Sequence, residues 1–138
     1  MSRAVPTNHV SRARNLPRAK GRTTPKVVER MNKGERAYAA VLESRKAAGH
    51  VAGYWFEFVS IRLADSTHYK PDFLVMLADG TLELHEVKGC KNGMDGKPDS
   101  FWAEEDSWIK IKVSDDLGPF VVRVVWPDRN GGWSERVV

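Results

Sequence analysis

Residues 71–88 read PDFLVMLADGTLELHEVK, two strand-like runs on either side of Asp79-Gly80. An aspartate-glycine pair between such runs is among the strongest short-range hairpin signals, because glycine reaches the positive φ that tight turns need. The first run is apolar on both faces after Asp72, as in a central strand covered from both sides. The second alternates: Leu82, Leu84, Glu86 and Lys88 share one face, and Glu83, His85 and Val87 the other. The rest of the chain must therefore cover both faces of this hairpin.

The flanking segments supply the cover. A helix is expected from about Asn32 to Ala48, with Asn32 and Glu35 spaced as a capping box and Gly49 as the stop. Residues 54–63 (YWFEFVSIRL) read as one strand, with a bulge near Val59 where the apolar face switches. Residues 89–99 hold three glycines and a proline and read as a mobile loop. A second helix is expected from about Ser100 to Leu117, burying Trp102, Ile109, Val113 and Leu117, and ended by Gly118-Pro119. Residues 120–126 make a last core strand, and a short strand near Trp133 to Val138 can follow it. The expected order is helix, strand, strand, strand, helix, strand (αβββαβ). That is an α/β fold with a mixed sheet of four to five strands flanked by helices.

Length and composition narrow the setting. The 138 residues fit one domain of ordinary size. The single cysteine, Cys90, excludes an intramolecular disulfide framework. No apolar run reaches membrane-span length and no secretory leader is evident, so a soluble cytoplasmic protein with no membrane partner is expected. The net charge of +4 hides an asymmetry: residues 1–28 carry seven cations and no acid, and the remaining 15 basic and 18 acidic residues give −3. Residues 1–28 are also poor in large apolar side chains, so a disordered basic tail is expected before a domain at 29–138. A cationic tail on a mildly acidic body points to a polyanionic partner, with Arg12, Arg14, Arg18, Lys20 and Arg22 available to phosphates.

Two ionisable residues, Glu86 and Lys88, end a strand face that is otherwise buried, and this needs a reason. Asp72 opens the partner strand. A two-residue turn at Asp79-Gly80 would set Asp72 opposite Val87, on the wrong face. A three-residue turn with Gly80 left-handed sets it opposite Glu86, so a site shared by the two acids requires a bulged turn or a bulge elsewhere in the hairpin, and one is expected. Two carboxylates side by side repel unless a cation lies between them, and hard oxygen ligands suit Mg²⁺ or Mn²⁺. Such an ion can polarise a phosphodiester, and the Lys88 ammonium can position the attacking water or neutralise developing charge. The Val87 backbone carbonyl, between the two residues, is a further candidate ligand.

Pro71-Asp72 followed after thirteen residues by Glu86-Val87-Lys88 resembles the motif of the PD-(D/E)XK nuclease superfamily. The likeness spans about residues 32–126. It implies a restriction-endonuclease-like core and a divalent metal, Mg²⁺ or Mn²⁺. The activity it implies is endonucleolytic hydrolysis of DNA phosphodiester bonds, leaving a 5′-phosphate. On the same likeness Asp72 and Glu86 are metal ligands and Lys88 is the catalytic lysine. Members often place a glutamate on the first helix near the metal, and Gly34-Glu35-Arg36 looks like that element; the capping box alone also explains Glu35. The compact size and basic tail look most similar to small phage-encoded or junction-resolving members, which implies branched or phage replication and packaging DNA as substrate. Many relatives act as homodimers, and no dimer face is marked here.

The remaining candidates carry plainer alternatives. Lys70 beside the motif, and Lys91 and Lys97 in the glycine-rich loop, can contact DNA or be ordinary solvated residues. His85 points away from Glu86 and reads as a core or surface histidine. Lys110 and Lys112 both lie on the second helix, and the sequence does not choose between them. A non-catalytic DNA-binding module that kept the nuclease fold is the competing function.

Overall fold

The computed structural model describes residues 25–91 and 100–138. In chain order the elements are α1 (Pro25–Arg30), α2 (Lys33–Ala47), β1 (Val51–Phe56), β2 (Ile61–Ala64), β3 (Thr67–Tyr69), β4 (Phe73–Leu77) and β5 (Leu82–Val87). Then come β6 (Gly89–Lys91), β7 (Ser100–Trp102), α3 (Glu105–Leu117), β8 (Val121–Pro127) and β9 (Trp133–Val137). Five strands form one sheet in the order β1-β4-β5-β8-β9. The β5–β8 pair is parallel and the other pairs are antiparallel, so the α/β sheet is mixed. A parallel neighbour needs a long crossover, and α3 lies in the connection from β5 to β8.

Each face of the sheet carries its own apolar cluster. Tyr38 and Leu42 of α2 pack with Tyr54, Phe73, Val75 and Val125. Ile111 of α3 packs with Leu74, Leu84, Val122, Val124 and Trp126, and with Tyr69 from β3. The alternation in β5 fits this division: Leu84 goes to the α3 side, while Val87 packs at the edge of the α2 cluster. Asn32 caps α2 as its sequence requires, accepting from the Glu35 N–H at 2.9 Å while Glu35 Oε2 accepts from the Asn32 N–H at 2.8 Å.

Several expectations need correction. The order is not αβββαβ, because two small hairpins, β2–β3 and β6–β7, interrupt it. Residues 54–63 are not one strand. β1 ends at Phe56, Glu57 takes a left-handed φ of +46°, and residues 61–64 pair with β3 in a separate hairpin. The face switch near Val59 thus marks departure from the sheet rather than a bulge within it. The second helix starts at Glu105, and its inner face carries Ile111 and Ser114. Ile109 and Leu117, expected inside, are 51% and 67% exposed. Helix α1 crosses the expected boundary at residue 29. The expected tail up to residue 24, and residues 92–99 of the expected loop, lie outside the described residues. Among the described residues no helix is long and apolar enough to cross a membrane.

Candidate active site

The β4–β5 turn decides which residues meet. Leu77 N–H donates to the Thr81 carbonyl at 2.8 Å, Gly80 N–H donates to the Leu77 carbonyl at 3.0 Å, and Gly80 has φ +89°. Three residues, 78–80, therefore make the turn, with glycine where an L side chain would be strained. The register then runs Met76↔Leu82, Val75↔Glu83, Leu74↔Leu84 and Phe73↔His85. One step further it sets Asp72 opposite Glu86. Directly opposed residues on an antiparallel pair point to the same face.

The first functional side chain sits where β4 begins. Asp72 Oδ2 accepts the Val87 N–H at 2.8 Å, and the Asp72 carbonyl accepts the Glu57 N–H at 2.8 Å. Burial pushes its carboxyl well above the ordinary aspartate range, and the negative charges of Glu86 and Glu35 push further. The Val87 N–H and the Lys88 ammonium pull back against this.

Glu86 is only 7% exposed, and its two oxygens have different partners. Oε2 accepts the Tyr69 hydroxyl at 2.7 Å, and Oε1 accepts Lys88 Nζ at 3.2 Å. Lys88 Nζ also donates to Ser107 Oγ on α3 at 2.8 Å. Burial and the neighbouring Glu86 hold the Tyr69 phenol far above its usual range, so it remains a protonated donor. Glu35 reaches this region from the start of α2, which lies close enough to β5 that a Cβ on Gly34 would meet Val87 Cγ1 at 3.7 Å. Burial raises the Glu35 carboxyl above its ordinary value, against the lowering effect of the Asn32 N–H; Glu57 and Glu86 add to the rise. Three acids, Glu35 on α2, Asp72 just before β4 and Glu86 on β5, thus act electrostatically on one another, with the Lys88 ammonium among them.

No protein-family model, curated protein or solved structure matches the chain. The chemistry of the site is therefore read from its geometry.

Among the described residues, no three His, Cys, Asp or Glu side chains are grouped as a ready-made metal cage. The chemistry of the donors fits a more open arrangement. Mg²⁺ takes hard oxygen ligands and keeps several waters, so one or two carboxylates suffice when substrate oxygens complete the shell. Asp72 and Glu86 are the pair that could hold such an ion, once Glu86 releases an oxygen from Tyr69 or Lys88.

Sequence reasoning missed Tyr69, Ser107 and Glu57. Glu57 Oε2 accepts both Arg30 and Lys70 at 3.3 Å, so Lys70 lies near the site but is ion-paired. Arg12, Arg14, Arg18, Lys20 and Arg22 lie outside the described residues, as do Lys97 and the side chain of Lys91. His85 is a core residue on the α2 side. Its Nδ1 lies 2.6 Å from the Tyr38 hydroxyl, and its Nε2 lies 2.8 Å from Glu83 Oε2. Arg123 holds Glu83 with Nε at 2.9 Å and Nη2 at 3.1 Å, which closes a buried polar network away from Asp72. The strand alternation places Glu83 and His85 on this face; the Arg123 partner comes from β8 and has no local signal.

Proposed function

We propose that this chain is a divalent-metal-dependent endonuclease of the PD-(D/E)XK kind, hydrolysing DNA phosphodiester bonds. The observation that carries the reading is the register of the β4–β5 hairpin, which sets Asp72 opposite Glu86 with Lys88 bonded to Glu86. A strand-end pair of acids with an adjoining amine has little value as a stability device, because buried carboxylates cost solvation and repel each other. The same arrangement suits phosphoryl chemistry.

In this reading Asp72 and Glu86 bind Mg²⁺ or Mn²⁺, with the Val87 carbonyl as a further ligand. When bound, such an ion supplies Lewis-acid stabilisation of the phosphoryl oxygen and of the departing oxygen. The chain's own residues do the rest. The Val87 N–H fixes the Asp72 carboxylate, and Tyr69 orients Glu86. Lys88 presents an ammonium whose position Ser107 fixes, either to orient the attacking water or to neutralise charge on the pentacovalent phosphorus. Glu35 adds negative charge beside the cation. The basic N-terminal segment and Lys91 supply sequence-independent phosphate contacts.

The test is a cleavage panel of linear, nicked, flapped and four-way DNA with Mg²⁺, Mn²⁺ and Ca²⁺. Cleavage that needs metal and disappears in Asp72→Ala supports the reading; cleavage unchanged by that substitution overturns the site. One observation favours a second reading, a DNA-binding module without cleavage: both Glu86 oxygens already accept hydrogen bonds within the protein. Salt-sensitive binding with no cut on any substrate would select it.

A further inference from the structure

Beside Glu86 lies a cleft of about 310 Å³ lined by His68, Tyr69, Lys70, Glu86, Ser107 and Lys110. Two of its sources stand outside the five-stranded sheet. The β2–β3 hairpin supplies His68 and Tyr69, with Lys70 next in the chain, and α3 supplies Ser107 and Lys110.

The donor chemistry of this cleft is one-sided. Lys110 has no ion-pair partner among the described residues, although α3 also carries Glu105, Asp106, Asp115 and Asp116. Ser107 Oγ accepts from Lys88 and so keeps its own hydrogen for another acceptor. His68 is exposed at the hairpin's end of the cleft and adds ring nitrogens. Beyond Glu86, which the proposed function gives to the cation shared with Asp72, the polar groups here are donors, which suits an anionic oxygen. The two helix lysines are also separated. Lys112 Nζ sits over the Trp108 ring, 5.5 Å from its centroid, and is not part of the cleft.

We propose that this cleft binds the backbone phosphate neighbouring the one that is cut, with Lys110, Ser107 and His68 as its donors. The proposal rests on the nuclease reading, which brings a nucleic-acid strand past Glu86. Ser107 then touches both the flanking phosphate and Lys88, so strand binding and placement of the ammonium share one hydroxyl.

The experiment compares wild type, Lys110→Ala, His68→Ala and Lys112→Ala in the full chain. Binding of fluorescein-labelled DNA is followed by anisotropy across a salt series, in EDTA and in Ca²⁺. Cleavage kinetics are then measured in Mg²⁺, and thermal melts confirm folding. Lys110→Ala is expected to weaken binding roughly tenfold and lower the salt slope by about one. Its KM should rise with kcat nearly unchanged, as for a contact made equally in ground and transition states. His68→Ala should move the same way by less, and Lys112→Ala should match wild type. Wild-type binding by Lys110→Ala, or a loss confined to kcat, overturns the subsite. If Lys110→Ala loses affinity but wild type cuts nothing, the nuclease reading falls and the subsite stands as a phosphate site. If wild type does not bind DNA, both fall.

Discussion

Tyr69 donates a 2.7 Å hydrogen bond to Glu86, although it arrives on a hairpin that is not part of the sheet carrying Glu86. Tyr69 is buried among Leu74, Leu84 and Ile111, so its ring anchors the hairpin while its hydroxyl fixes the carboxylate. Outer-sphere partners of this kind typically change metal affinity or activity by about 10–100-fold. Tyr69→Phe keeps the ring and removes the bond. Its expected outcome is a higher Mg²⁺ concentration for half-maximal cleavage and a stability loss of about 1–2 kcal/mol. A Mg²⁺ titration of cleavage rate, beside a urea melt, reads both.

Asp72 should be a stability liability when no cation is present. Its folded-state carboxyl is held above the unfolded value, first by burial and then by Glu86. The folded state therefore favours the protonated form, and stability is lost as pH rises above the ordinary aspartate range. Asp72→Asn removes the charge and keeps the shape. In EDTA at neutral pH it should stabilise the fold by roughly 1–2 kcal/mol while abolishing metal-dependent cleavage. Thermal melts with and without Mg²⁺ check this: added metal should stabilise wild type more than the variant.

Glu35 has two roles that one substitution separates. Its side-chain oxygen closes the capping box, and its charge acts on Asp72 and Glu86. Glutamine can still accept the Asn32 N–H, so Glu35→Gln should leave stability within about 0.5 kcal/mol while weakening metal-dependent cleavage. Glu35→Ala should lose both, with a stability cost of about 1 kcal/mol. Equal cleavage by wild type and Glu35→Gln would assign the residue to capping alone.

The Glu83 network sets the acid limit of the fold. His85 and Arg123 hold the Glu83 carboxyl down at about 2, below the ordinary 4.5, against the opposing effect of burial. A depressed acid stabilises the fold fully above its unfolded value and ceases to do so as pH falls through the folded one. Wild type should thus lose on the order of 2–3 kcal/mol from this group as pH drops from 4.5 towards 2. Glu83→Gln should be less stable at neutral pH, by about 3 kcal/mol, because Arg123 and His85 lose their carboxylate. Urea melts across that pH range should show a flatter acid limb for the variant.

Features were legible in the sequence to the extent that their signals were local. The three-residue turn at Gly80, which sets Asp72 opposite Glu86, was expected only because a shared site for the two acids requires it; a plain two-residue Asp79-Gly80 turn would have set Asp72 opposite Val87. The α2 cap came from two residues three apart. Strand 54–63 misled because its composition suits a strand throughout, whereas Glu57 turns out of the sheet and donates its N–H to Asp72. The buried side of α3 was misphased because its inner face includes Ser114, a polar residue that bonds the Lys110 carbonyl and carries no apolar signal. Tyr69 lies beside the motif in sequence, but nothing local gave it a role, and Ser107 had no signal. Their roles arise only when an inserted hairpin and the crossover helix close on the end of β5.

The proposed chemistry requires Asp72 and Glu86 to share one divalent cation. Electron paramagnetic resonance of Mn²⁺ binding to the full chain, without DNA, tests this most directly. A bound ion is expected in wild type and Lys88→Ala, and its loss in both Asp72→Asn and Glu86→Gln. Equal Mn²⁺ binding by wild type and the two acid variants, or none by wild type, would contradict a shared ion.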